Sequence, residues 1–405
     1  MWIPVLLACL AITQVYSKTE EVYRWKVLDV DWPSEEIKSK TIKDGGYVPE
    51  NNALAGIKVW KDQMFLTVPR WKSGVPVTLG VVPISPVDGD REPKLKAYPN
   101  WQSQEVGNCQ AFQFVQSMEI DPYGRMWVLD SGRTETLADE PIPRCPPRLV
   151  ILDIEDGGKV LRVHEFPEHV TPRKVSYLND LVLDSTGTGY AYISDTSEKD
   201  PGLIVYSLKD NLSWKIRHPS MEEDKDARKI VSSGATVEVD FPVDGIALSG
   251  LDEADRLVYY CPLAAYDLYA LPTSVLKQNV TDVDEHVQRL GRKSSQTDGM
   301  IMTADGRLYF GLVAEEAVAV WDVSQETLVS AGEEIATQNH QTMLWPDTFA
   351  LDEEGYMFFV ANSLQNFIED EIDSNKYNFR VFKTDVGSKS YQFHQNGGTP
   401  PKMNV

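Results

Sequence analysis

The sequence predicts an all-β chain, a six-bladed β-propeller around a central channel, closed by its N-terminal strand. Three observations carry that expectation. A hairpin pattern recurs six times along the 405 residues, each recurrence is followed by a further strand-like run, and helical periodicity is nearly absent apart from short pieces such as DVDEHVQRLG.

The pattern is plainest in SMEIDPYGRMWVLDSG, residues 117–132. Apolar and polar residues alternate there, turn on a Pro and a Gly, and alternate again toward an acid. In general form it reads x-Φ-x-Φ-D-x-x-G-x-Φ-aromatic-Φ, where Φ is apolar. Copies begin at Leu54 (LAGIKVWKDQMFLTV, the most degenerate), Gln116, Asn179 (NDLVLDSTGTGYAYISD), Asp244 (DGIALSGLDEADRLVYY), Asp298 (DGMIMTADGRLYFGL) and Asp347 (DTFALDEEGYMFFVAN). Their spacings run from 49 to 65 residues, the length of a four-stranded sheet with its loops. The third strands are PVTLGVV, RLVILDI, GLIVYSL, DLYALPT, AVAVWDV and RVFKTDV.

So small a sheet cannot bury both faces alone, and radial packing both covers the faces and leaves only short edges. The repeated Gly supplies the positive φ of the hairpin turn, and the aromatic beyond it packs blade on blade. After the sixth hairpin only RVFKTDV remains, while EVYRWKVLDV stands upstream of the first copy without a partner. The segment Tyr23 to Val30 is therefore expected to pair into the last blade. The acidic stretch MEEDKDARK reads as a solvated excursion between blades three and four.

Composition permits this: 42% hydrophobic and 10% aromatic residues supply a sizeable core. The expected division is a signal peptide over 1–17, the propeller over 18–390 and a flexible C-terminal tail over 391–405. MWIPVLLACLAITQVYS is apolar, uncharged until Lys18, short for a bilayer, and ends in small residues at Val15 and Ser17. The alternative is an apolar N-terminal strand, since a basic n-region is missing. No later stretch has the length of a membrane helix, so a secreted, extracellular protein is expected. The net charge of -22 argues against nucleic acid and anionic membranes as partners and is compatible with a solvated acidic surface or a cationic ligand.

Cys9 leaves with the signal, so Cys109, Cys145 and Cys261 remain. Cys109 sits in the polar loop GNCQ and Cys145 in RCPP, whereas Cys261 follows the apolar run LVYY. A Cys109–Cys145 bridge with Cys261 free and buried is the simplest assignment in an oxidising compartment. Asn211 (NLS) and Asn279 (NVT) are glycosylation sequons.

In a propeller the first strand of each blade runs along the channel, so the lead residues Leu54, Gln116, Asn179, Asp244, Asp298 and Asp347 converge at one end. Asp and Asn before a strand often serve only their own turn. Converged, they make a cation site, either for Ca2+, with Asn179, Asp244 and Asp298 as candidate ligands, or for an organic ammonium. Trp345 offers an aromatic wall for an amine, and Asn362 reaches the same end of the channel. Crowded carboxylates raise one another's pKa, so Asp244, Asp298 and Asp347 are also candidate general acids or bases. G-x-S-x-G, H-E-x-x-H, P-loop and C-x-x-C signatures are missing, and the six histidines scatter through loop-like contexts, which argues against a nucleophilic hydrolase.

Long stretches, among them YPNWQSQEVGNCQAFQFVQSMEIDPYGRMWVLDSGR, YYCPLAAYDLYALPTSVL and LWPDTFALDEEGYMFFVANSL, closely resemble the insect Yellow and major royal jelly protein family, collinearly from Tyr23 to Val386, with the form of the Yellow branch. The resemblance implies a secreted six-bladed propeller. It also implies a link to melanin pigmentation or cuticle, dopachrome conversion in some members and biogenic-amine binding in others. In the amine binders the aligned positions are Trp345, Asp347, Asn362 and Leu364. This chain keeps the Asn and an aromatic, but has Asp347 at a hydroxyl position and Leu364 at an aromatic one. Two functions follow as expectations. One is a dopachrome-converting isomerase. The other is a non-catalytic binder of small cationic catechols or amines, or a structural protein of cuticle or egg covering. Gln116, Asn179, Trp345, Asp347 and Asn362 are the expected ligand contacts, and no cofactor is required beyond a candidate Ca2+.

Overall fold

A computed structural model describes residues 18–405; the expected signal segment, 1–17, lies outside the described residues. Six four-stranded antiparallel sheets are arranged as blades, with inner strands Ile57–Trp60, Val115–Ile120, Leu178–Asp184, Val243–Leu248, Met300–Met302 and Pro346–Leu351. Each inner strand touches the next, and the sixth touches the first, so the ring is closed.

Closure is made by Glu20–Trp25, which pairs antiparallel with Phe379–Asp385 as the outer strand of blade six. This differs in extent from the expected Tyr23–Val30. The strand begins at Glu20 and stops at Trp25, because the following residues pair elsewhere. The Asp29 carbonyl accepts from the Leu95 N–H at 2.9 Å, the Asp31 N–H donates back to the Leu95 carbonyl at 2.8 Å, and Val30 forms a parallel bridge with Leu95.

The inner strands share an irregularity that the repeat pattern does not announce. In blades two, three, four and six the register slips at the strand head, between Val115 and Met118, Leu178 and Leu181, Val243 and Ile246, and Pro346 and Phe349. Two residues there oppose one on the partner strand, a β-bulge, which bends the strand and re-aims its side chains. The lead residues Gln116, Asn179, Asp244 and Asp347 each sit in such a bulge. Two glycines let neighbouring heads close up. A Cβ on Gly245 would lie 2.4 Å from the Asp298 carbonyl oxygen, and one on Gly299 would lie 2.2 Å from that of Asp347.

The C-terminal residues correct the expectation of a flexible tail. Tyr391 is 2% exposed, and its hydroxyl donates to Glu119 Oε2 at 3.3 Å and accepts from the Leu183 N–H at 2.9 Å. Gln392 donates to the Ile120 carbonyl, Arg125 to the Met403 carbonyl, and His394 pairs with Asp252. A segment rich in aromatics and amides finds apolar and polar partners together, and so binds across the channel end opposite the lead residues. DVDEHVQRLG forms one 3-10 turn, Asp284–His286, and a strand, Gln288–Arg292, whereas an α-helix at Glu35–Lys43, N-capped by Ser34, went unforeseen. MEEDKDARK is only partly solvated, since Met221 and Ala227 are buried, and it leads into a hairpin, Lys229–Ser232 with Ala235–Glu238.

Cys109 and Cys145 are bridged across a separation of 36 residues, and Cys261 is free and buried. Opening the bridge with Cys109→Ser and Cys145→Ser is expected to lower unfolding free energy by up to about 4 kcal/mol on the chain-entropy account, measured by denaturant titration. Gly299→Ala is expected to destabilise by about 1–3 kcal/mol through overpacking, seen as a lower melting temperature with unchanged far-UV circular dichroism.

Candidate functional site

The bulged heads deliver their side chains to one end of the channel. Gln116, Asn179, Asp244, Asp298 and Asp347 line a single small cavity there, together with Trp71, Tyr177, Phe241 and Leu364. All five lead residues are buried, none more than 8% exposed. The sixth, Leu54, is fully buried and contributes its carbonyl, which accepts from Asn362 Nδ2 at 2.9 Å. The same amide nitrogen donates to Asp347 Oδ2. Gln116 Oε1 accepts from the Tyr177 hydroxyl at 3.2 Å, and Asn179 Nδ2 donates to Thr196 Oγ1 at 3.0 Å.

Trp345 takes a different part from the expected aromatic wall. It is fully buried, and its indole N–H donates to Asp298 Oδ2 at 2.6 Å. Its φ is 55°, a left-handed conformation costly for a bulky residue, and Ser363 beside it has a φ of 49°. The Asn362 N–H to Trp345 carbonyl bond, at 3.4 Å, joins these two strained strand ends. The aromatic walls are instead Trp71, Tyr177 and Phe241. They come from loops outside the repeat, so aligning repeats could not find them. The Trp71 indole N–H donates to the Tyr177 hydroxyl.

Among the lining residues none is Lys, Arg or His, so the carboxylates face one another without a cation. Loss of water pushes the Asp298 carboxyl up to about 6, although hydrogen bonds from Trp345 and Asp244 hold it back. Asp244 and Asp347 are driven well above the ordinary carboxylate range, first by burial and then by the neighbouring acids. The Tyr177 phenol is raised as well, by burial foremost. Burial favours the protonated form of both Asp244 and Asp298, and the two carboxyls act on each other, so the pair is suited to set a proton donor beside an acceptor. Below them Ser117 donates to Asp180 at 2.7 Å, and Lys58 lies 3.4 Å from Glu119 and donates to the Phe349 carbonyl.

These residues do not fit Ca2+. Among the described residues no group of three or more His, Cys, Asp or Glu could hold a metal ion, and in the expected set Asn179 is turned to Thr196 and Asp298 to Trp345. The free space is about 20 Å3, room for about one water molecule. It is roofed by Trp71, Leu137 and Phe241 from three separate loops and by Ile368 from the helix Leu364–Ile368. The hairpin 229–238 packs on the helix Leu364–Ile368.

The fold and site thus define a closed six-bladed propeller with a buried carboxylate cluster at one axial end. A profile of the family described as Major royal jelly protein matches residues 113–391, and the chain belongs to that family. It is 28% identical to dopaminechrome tautomerase of Drosophila melanogaster, over 92% of this chain and 83% of that protein. It is 28% identical to major royal jelly protein 3 of Apis mellifera, over 90% and 68%, and 26% identical to protein yellow of Drosophila melanogaster, over 94% and 71%. Among solved structures a luciferin-regenerating enzyme superposes with a TM-score of 0.51 at 12% identity, covering 87% of this chain and 98% of that one, a likeness of fold.

The raised carboxyls contribute to the pH dependence of stability. Between the ordinary value of 3.8 and about 6, Asp298 in the folded chain holds a proton that the unfolded chain has released. Its contribution is fully present below that window, falls as pH rises through it and is flat above. Asp298→Asn is expected to flatten this slope, measured by urea midpoints from about pH 4 to about pH 7.

Proposed function

We propose that this protein is a secreted aminochrome isomerase of the melanin pathway, and that the carboxyl pair of Asp244 and Asp298 is its working group. The reaction moves two protons in succession, one from each saturated carbon of the five-membered ring, to the two quinone oxygens. Two C–H bonds break and two O–H bonds form, the product is an isomer, and no cofactor is consumed. Asp298, with its carboxyl near 6, suits the base, and protonated Asp244 suits the acid. Asp347, held by Asn362, and the Gln116–Tyr177 pair orient the ring. A bicyclic ring enters only if Trp71, Leu137, Phe241 and Ile368 part, which also keeps water from the reacting centre.

The single observation that carries the reading is a cluster of buried acids with no cationic residue in the lining. It also chooses the substrate. The carboxylate of dopachrome would face three acids without a counterion, so the carboxylate-free aminochrome derived from dopamine is the better fit. The likeness to dopaminechrome tautomerase supports this. Secretion is supported by the apolar leader and by the disulfide. Asn211 and Asn279 both lie exposed at left-handed positions with φ of 52°, open to glycan attachment. The acids also suit a non-catalytic hold on a protonated amine, which the same experiment separates.

Purified protein is expected to bleach the visible band of dopaminechrome with a kcat/KM at least about tenfold that for dopachrome, as one uncompensated like-charge contact implies. Activity should rise through about pH 6 as Asp298 loses its proton. Asp298→Asn should lower kcat by about 100-fold or more while leaving the melting temperature at neutral pH no lower. Binding of dopamine without turnover of either aminochrome would establish the binder instead.

A further inference from the structure

A groove that the isomerase reading leaves unused lies beside the channel mouth, between blades one and two. It encloses about 610 Å3, within the range of ligand sites. One wall is apolar, with Trp101, Val75, Pro76 and Val106, and the Trp101 indole is backed by Trp32 at 5.3 Å between ring centroids. The rim is polar without being an ion site. Arg144 lies 3.5 Å from Glu135, Lys72 is paired with Asp370, and the Arg70 guanidinium is spent on backbone carbonyls, among them those of Val75, Phe112 and Gln104. The Gln102 amide and the Thr41 and Ser73 hydroxyls also face the groove, and among the described residues they have no hydrogen-bond partner.

The walls are fixed before any ligand arrives. The bridge between Cys109 and Cys145 ties the loop carrying Glu105 and Val106 to the loop carrying Arg144. Gln104 holds the floor, accepting from the Thr78 N–H at 3.0 Å and donating to the Tyr98 carbonyl at 2.8 Å. A preformed groove of this kind loses little entropy on binding. A flat indole beside free amide and hydroxyl groups and neutralised charges matches one ligand chemistry, an uncharged ring with apolar C–H faces and a hydroxyl edge.

We propose that this groove binds a neutral mono- or disaccharide, one pyranose face resting on Trp101 and its hydroxyls reaching Gln102, Ser73 and Arg144. The site is separate from the carboxylate cluster but borders it. The Glu135 N–H donates to the Arg70 carbonyl at 2.7 Å and the Leu137 N–H to the Trp71 carbonyl at 3.0 Å, so one backbone seam forms the wall of both. A sugar polymer held there anchors the enzyme with its channel mouth at the polymer surface.

The test is saturation-transfer NMR and tryptophan fluorescence on the full protein with maltose, cellobiose and diacetylchitobiose, and with a sulfated disaccharide as the charged comparator. At least one neutral disaccharide is expected to bind with a Kd of about 1 mM or tighter. Trp101→Ala should weaken it by about tenfold or more, and the surface variants Gln102→Ala and Arg144→Gln by about threefold or more. Asp298→Asn should bind the sugar as the unaltered protein does. Absence of binding by all three neutral sugars, binding of the sulfated sugar alone, or undiminished binding by both Gln102→Ala and Arg144→Gln overturns the proposal. None of these outcomes bears on aminochrome turnover.

Discussion

The close approach of six inner strands around one axis governs everything else in this molecule. Where Gly245 and Gly299 sit, a single methyl group would collide with the carbonyl of the next strand head. That closeness leaves no room for the carboxylates of Asp244, Asp298 and Asp347 to spread into solvent, and the bulges at four of the heads turn the lead side chains inward. The electrostatics of the site is thus a consequence of backbone packing. Acids that would ionise freely on a surface are held together, dry and short of a counterion, and they respond by keeping protons.

Stability is given up here, since a dry acid cluster without a cation is a liability in an otherwise well-paired interior. Several other buried charges are matched by an opposite one. Lys215 meets Asp195 at 2.8 Å, Arg148 meets Asp130 at 3.1 Å, and Arg256 meets Asp184 at 3.1 Å. The contrast marks the channel mouth as the place where the fold tolerates strain, with Trp345 and Ser363 both in left-handed backbone.

Much of this could be read from the chain. Hairpin turns and strand alternation are local signals, so six blades and the convergence of Asp244, Asp298 and Asp347 follow from aligning the copies. The bulges escaped notice because each is a relation between two strands. Gln116 and Ser117 look like any two strand residues until Leu129 is seen opposite both. Tyr177, Trp71 and Phe241 escaped because loops carry no repeat. Trp345 was recognised as part of the site, but its role reversed: a ring two residues from an acid can face a ligand or hold the acid, and only the three-dimensional path of the chain decides. The tail YQFHQ held a signal against flexibility in its aromatic content, since disordered segments are poor in such residues.

The closure of blade six by Glu20–Trp25 on Phe379–Asp385 ties the earliest described strand to the last one made. Synthesis runs from one end, so that first strand waits without its partner until Phe379–Asp385 has been made, more than 350 residues later, and Tyr391 and Gln392 follow. The ring therefore cannot close before that partner strand exists. Loss of either strand therefore removes a contact that no neighbouring residue can replace, and opens the circle as a whole rather than fraying one blade.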